Sequence, residues 1–194
     1  PVLDRLIARF GPCRLPSPAP AHRRFEDLVE SIAYQQLHGN AARAIWSRVV
    51  DACGGTVSAQ TLVAAGPDAL RSCGLSGSKV RSMLDLAERG IDGRLRLSRI
   101  GRLHDEAVIE ELTPAWGVGR WTAQMFLMFT LGRLDVWPAG DYGVRSGYGK
   151  AWGHTEMPTE KEMPELGERF AGARSLVAWY CWRATENPSE GART

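Results

Sequence analysis

Two features between Leu112 and Arg145 have the residue types and spacing to do chemistry. Gly117-Val118-Gly119 form a tight turn ahead of an apolar stretch that opens with Trp121, and Asp141 follows one helix later in a Pro/Gly-rich break. Two glycines around one apolar residue let a chain reverse between helices without side-chain clash. They also leave backbone N–H groups pointing outward at the start of the next helix, which suits them to holding a phosphate. A lone carboxylate beside a phosphate grip points to chemistry on nucleic acid. Asp141 has a plainer reading as well: an Asp after a glycine commonly caps the helix that follows, here from Tyr142, and both roles can hold together.

These residues need helices to position them, and the patterning supplies helices. Apolar residues recur at helical spacing from Phe25 through Leu28, Val29 and Ile32, then through Ala41, Ala42, Ile45, Trp46 and Val49. Gly54-Gly55, Gly66-Pro67, Gly74, Gly90 and Gly93 punctuate further short helices. His104 or Asp105 opens a helix to Leu112, and Trp121 to Leu131 forms the next, so a helix–turn–helix unit is expected at about 107–131. Segments 141–149 and 164–186 supply the last helices. Few stretches alternate with a period of two, so the fold class is all-α. Residues 1–24, with the prolines from Pro12 to Pro20, are expected as a segment packing on the body, and residues 25–194 as the helical domain.

With 194 residues and 44% hydrophobic content, the chain can bury a core as one domain or two closely packed lobes. Nothing resembles a signal peptide, and no apolar run approaches a membrane span, so no membrane partner is expected. A net charge of +2 is too small to identify a nucleic-acid binder by itself; if DNA is the partner, the positive charge must be local and backbone amides must share the phosphate work. Cys13, Cys53, Cys73 and Cys181 are scattered without a CxxC pair, which argues against a disulfide scaffold or a zinc site and fits a reduced, cytoplasmic setting. His22, His38, His104 and His154 lack metal-ligand spacing. Arg94, Arg96, Arg99 and Arg102 read as a solvated face, with DNA contact the lesser alternative.

The run from Gly117 to Asp141 resembles the helix-hairpin-helix motif and following aspartate of the DNA glycosylase superfamily, and within it the DNA-3-methyladenine glycosylase II family. Three flanking blocks resemble the same family: 25–49 (FEDLVESIAYQQLHGNAARAIWSRV), 70–87 (LRSCGLSGSKVRSMLDLA) and 174–183 (RSLVAWYCWR). A lone GVG would be weak, but these blocks in the family's order span nearly all of residues 25–183. The resemblance implies two helical lobes with a cleft, one lobe from the middle of the sequence and one from both ends. It implies a monofunctional glycosylase of base-excision repair, acting on damaged bases in double-stranded DNA. No cofactor is required, a monomer is expected, and the enzyme would associate with the nucleoid if bacterial. Relatives with an iron–sulfur cluster carry closely spaced cysteines near the C-terminus, where this chain has only Cys181, so no cluster is expected.

The resemblance also assigns roles. Asp141 matches the catalytic aspartate, which would stabilise positive charge on the deoxyribose as the glycosidic bond breaks. Gly140 stands where the family often has a second acid, a departure that removes a neighbouring charge. Trp121 takes the position of the Schiff-base lysine of strand-cutting relatives, so no lyase activity is expected. Its indole would stack on a cationic alkylated base, worth about 0.5–2 kcal/mol; packing in the core is the plainer fate of a tryptophan. Trp182 matches a second pocket tryptophan, with Met125 and Tyr34 as further walls or as packing. Gln35, Gln36 and Leu37 resemble the segment that fills the gap left by a flipped nucleotide. Gly117, Val118, Gly119, Arg120 and Thr122 would bind DNA phosphate. The carbonyls of Thr113, Ala115 and Val118 would hold a monovalent cation, although Ala115-Trp116 depart from the usual Leu-Pro-Gly loop. His38-Gly39-Asn40 depart from the family's Ser-containing form. The competing readings are a non-catalytic helix-hairpin-helix DNA-binding module and a glycosylase for oxidised or mismatched bases.

Overall fold

The residues ahead of the prolines are helical, which the pattern there did not suggest: Val2–Phe10 form α1, ending at Gly11 (φ 75°). The computed structural model describes residues 1–37 and 39–186, and His38 lies outside them. Among the described residues every regular element is a helix, and none is long and apolar enough to cross a membrane. The chain divides into two units, one of residues 17–131 and one of residues 1–16 with 132–194, which is the middle-and-both-ends division the resemblance implies. Residues 1–16 therefore group with the C-terminal part, and residues 17–24 with the middle.

In the middle unit the recurrence from Phe25 becomes α2 (Arg24–Tyr34), with Leu28, Val29, Ile32 and Ala33 fully buried. α3 (Gly39–Ala52) follows, then α4 (Ala59–Ser72), which opens on a capping box in which Ser58 and Thr61 exchange hydrogen bonds. α4 is kinked at Gly66 (φ 75°) ahead of Pro67. Ser76 caps α5 (Gly77–Ile91) by accepting the Lys79 N–H at 3.3 Å. After the short α6 (Leu97–Ile100), His104 caps α7 (Asp105–Leu112) through Nδ1. α8 (Arg120–Phe129) buries Ala123, Phe126, Leu127 and Met128 along one side. α2 packs on α3, α5 and α8, and α7 packs on α8, which brings the two arms of the hairpin together.

The second unit is built on α1, α9 (Tyr142–Trp152), α10 (Met163–Glu168) and α11 (Arg174–Thr185). α9 carries Gly143, Gly147 and Gly149, each costing about 1 kcal/mol of helix propensity against Ala. Packing explains them. A Cβ at Gly147 would lie 1.8 Å from the carbonyl oxygen of Cys181, so α9 and α11 meet backbone to backbone. α11 is anchored at its start by buried Ser175, whose Oγ donates to Arg133 O (2.7 Å) and accepts the Val136 N–H (2.9 Å). Asp135 adds acceptors for the N–H groups of Gly172 and Arg174. These bonds fix where α11 begins relative to the segment that leads to Asp141.

Candidate active site

Asp141 caps α9 as its position after Gly140 predicts: Oδ1 accepts the Val144 N–H at 2.8 Å. The same oxygen accepts the indole N–H of Trp182, also at 2.8 Å, so a residue from α11 holds the carboxylate as well. Gly143 makes this approach possible, since a Cβ there would lie 2.7 Å from Trp182 Cδ1 and 3.2 Å from Asp141 Oδ1. Trp137 on the approach donates to Met163 O at 2.6 Å, which ties the chain before Asp141 to α10. Behind this group Cys181 is fully buried, and burial, followed by the charge of Asp141, pushes its thiol far up, so it stays neutral.

A Cβ at Gly140 would lie 3.1 Å from Glu160 Oε1, so a carboxylate stands against that position. Tyr142, at the first turn of α9 and 71% exposed, is an aromatic ring next in sequence to Asp141, and its helix-start position alone gives no sign of that exposure. Its exposure sets it apart from core residues.

The hairpin joins Leu112 to Arg120. Gly117 adopts φ 76°, and a Cβ there would fall 2.1 Å from Ser82 Oγ, so only glycine fits. Gly119 is different: it is extended (φ −90°) and a Cβ would meet nothing within 4 Å. It also caps α8 without a side chain, and among the described residues the amides of Gly117 and Gly119 find no acceptor in the chain. Val118 is buried and its N–H donates to Ala115 O at 3.1 Å. An amide carbonyl keeps a second lone pair, so the carbonyls of Thr113, Ala115 and Val118 remain compatible with a cation.

Trp116, the departure in this loop, has its own supports. Its N–H donates to Asp85 Oδ2 at 2.7 Å, and its ring lies 4.3 Å from the Arg81 guanidinium. Asp85 also accepts from Arg89 Nε at 2.8 Å. Burial alone would raise the Asp85 carboxyl, but the Trp116 N–H and the Arg89 bond outweigh it and hold it below the usual range. Asp85 is thus a support of the hairpin that spacing did not reveal.

Two residues assigned to phosphate have partners within the chain. Arg120 forms a two-pronged ion pair with Glu106 at 2.6 and 2.8 Å, so a phosphate would have to displace a carboxylate. Thr122 is buried and accepts from Gln35 Nε2 at 3.2 Å. Its role is to tie the Gln35–Leu37 turn to α8. Within that turn Gln36 is exposed and adopts φ 55°, while Gln35 and Leu37 are half-buried.

Trp121 is not a core residue: it is 45% exposed at the first turn of α8. Met125 and the 40%-exposed Phe129 continue the same face at four-residue steps, and Phe129 was missed in the sequence. Met125 and Phe129 border a cavity of about 340 Å³ with Asp27 and Glu30. Burial raises the Glu30 carboxyl, and the neighbouring Asp27 and Glu26 add to that. Tyr34 is half-buried on α2, one helical turn beyond Glu30.

Residues 29–171 match the HhH-GPD superfamily of base excision DNA repair proteins, and the chain belongs to that superfamily. It is 33% identical to DNA-3-methyladenine glycosylase 1 of Schizosaccharomyces pombe, over 94% of this chain and 81% of the relative. The solved structure of that yeast's 3-methyladenine DNA glycosylase, Mag1, in complex with abasic DNA matches with a TM-score of 0.84, covering 94% of this chain and 90% of that one. The crystal structure of a DNA-3-methyladenine glycosidase from Bacillus halodurans matches at 32% identity with a TM-score of 0.80, covering 98% and 91%.

Proposed function

We propose that the chain is a monofunctional DNA glycosylase that hydrolyses the N-glycosidic bond of 3-methyladenine-type bases in duplex DNA and leaves the strand uncut. The observation that carries the reading is the doubly held carboxylate of Asp141, fixed by Val144 N–H and Trp182 Nε1–H. As the base departs, positive charge builds on the deoxyribose. A carboxylate whose orientation is set beforehand stabilises that charge without first reorganising, and orients the attacking water. An alkylated purine already carries positive charge and leaves readily, so no strong general acid is required.

The other residues serve delivery and selection. The exposed Trp121 indole offers a face to a cationic ring, a contact worth about 0.5–2 kcal/mol. With tryptophan at that position the chain has no Schiff-base amine there and therefore makes no β-elimination by that route. The open amides of Gly117 and Gly119 and the uncapped start of α8 receive a phosphate. A monovalent cation held by the carbonyls of Thr113, Ala115 and Val118 would add positive charge to that contact. Gln36 fills the stack vacated by the extruded nucleotide.

The test is a panel of duplexes each carrying one lesion, incubated with the protein and then split into untreated, alkali-treated and borohydride-treated portions. The reading predicts cleavage of methylated-purine duplexes only after alkali and no trapped protein–DNA adduct. A trapped adduct would overturn the monofunctional assignment. Selective release of oxidised or mismatched bases would overturn the substrate assignment.

A further inference from the structure

Lys79 lies outside the hairpin and takes no part in the chemistry above. It sits in the first turn of α5, and its Nζ donates to two backbone carbonyls, Ala33 O at 2.8 Å and Gln35 O at 2.6 Å. These carbonyls belong to the end of α2, where helical partners run out and a cation is favoured. Burial holds the Lys79 ammonium below the usual lysine range, so the contact is partly sheltered from water.

The residue immediately after this anchor is Gln36. Among the described residues it is the one non-glycine with a positive φ, 55°, a conformation that side-chain-bearing residues adopt rarely. Gln35 beside it is held a second time, by its amide on Thr122 Oγ1 of α8. The turn is therefore anchored from α5 through its carbonyls and from α8 through a side chain, while the residue between the anchors and solvent is the exposed Gln36. Such a turn, over-determined around a strained and exposed side chain, has the form of a rigid presenter.

We propose that Lys79 is a positioning residue for DNA distortion: it locks the turn that presents Gln36, so that Gln36 enters the stack left by an extruded nucleotide. This rests on the glycosylase reading above. A lysine that merely stabilised the end of α2 would act alike on every substrate. One that positions Gln36 matters only where a stack has to be filled.

The probe is a duplex with 2-aminopurine next to a stable abasic-site analogue, whose fluorescence reports what occupies the gap when protein binds. Wild type should change the signal, Gln36→Gly should abolish the change, and Lys79→Met should reduce it about tenfold, the order expected for losing a charge-assisted hydrogen bond. Lys79→Arg should restore most of it. In single-turnover excision, Lys79→Met should slow release from duplex by about the same factor and from single-stranded DNA by less than about twofold. A full 2-aminopurine response in Lys79→Met, or equal slowing on both substrates, would overturn the proposal. Should Lys79→Met fail to fold, Thr122→Val loosens the same turn from α8 and is read with the same probe. A wild type that gives the fluorescence change but no excision would sink the glycosylase reading and leave Lys79 testable. Excision without the fluorescence change would sink the Gln36 and Lys79 assignments alone.

Discussion

The indole N–H of Trp182 and the carboxylate of Asp141 are hydrogen-bonded at 2.8 Å, across 41 residues of sequence. Trp182 therefore holds the carboxylate to which the proposed function assigns the chemistry, in addition to any face it offers a base. Gly143 leaves the room for this, because a side chain there would strike the indole.

Removing only the ring N–H separates these functions. Trp182→Phe keeps an aromatic face and should lower single-turnover excision roughly tenfold or more, since a hydrogen bond to a charged group is worth about 1.5–3 kcal/mol. Gly143→Ala should cause a similar loss by displacing the indole. In the double variant the two losses should not add, as expected for residues acting through one contact. Additive losses would show that Gly143 acts elsewhere.

The two hairpin glycines should respond in opposite ways. Gly117→Ala forces both a positive φ and a clash with Ser82 Oγ, so thermal melting should fall by several degrees. Gly119→Ala meets open space, so melting should hold, while DNA affinity should drop if this turn takes the phosphate the proposed function assigns to it. Unchanged affinity in Gly119→Ala would remove the phosphate role from this turn.

Glu106 holds Arg120 in an ion pair that a phosphate proposed to bind there would have to displace. Glu106→Gln should tighten DNA binding and steepen the log–log salt dependence by about 0.9, the value for one added phosphate contact by a cation. An unchanged slope measured by fluorescence anisotropy would mean that Arg120 does not reach phosphate.

Asp85 couples the hairpin to pH. Its carboxyl is held below the usual range in the fold, so it contributes stability above the ordinary aspartate pKa of about 4 and loses it as pH falls through the folded value. Asp85→Asn should therefore lower melting by about 2 °C at pH 7. The difference should shrink as pH falls below about 4. A difference that persists in acid would point to packing in place of charge.

Local pattern carried much of this into view. The helical recurrence from Phe25, the GVG turn and the Asp141 cap all depend on neighbours within a few residues, and each is found where the spacing puts it. Helix α1 was hidden because the prolines after Phe10 dominate its surroundings. What spacing could not convey were pairings over distance. Glu106 takes Arg120 from the previous helix, Gln35 takes Thr122, Asp85 takes the Trp116 amide, and the Glu160 carboxylate stands against Gly140. Each depends on which faces the tertiary fold brings together, and no period in the sequence encodes that.

The most direct test of the account is single-turnover excision of 3-methyladenine from duplex DNA by Asp141→Asn, alongside its circular dichroism and its affinity for abasic DNA. The amide preserves the shape and still accepts the Val144 and Trp182 N–H groups through its carbonyl oxygen, but it carries no charge to balance the sugar. The account predicts a folded, DNA-binding protein whose excision rate falls by at least about a hundredfold, the order seen when one preorganised electrostatic contact is lost. Excision within a few-fold of wild type would contradict it and reduce Asp141 to a helix cap.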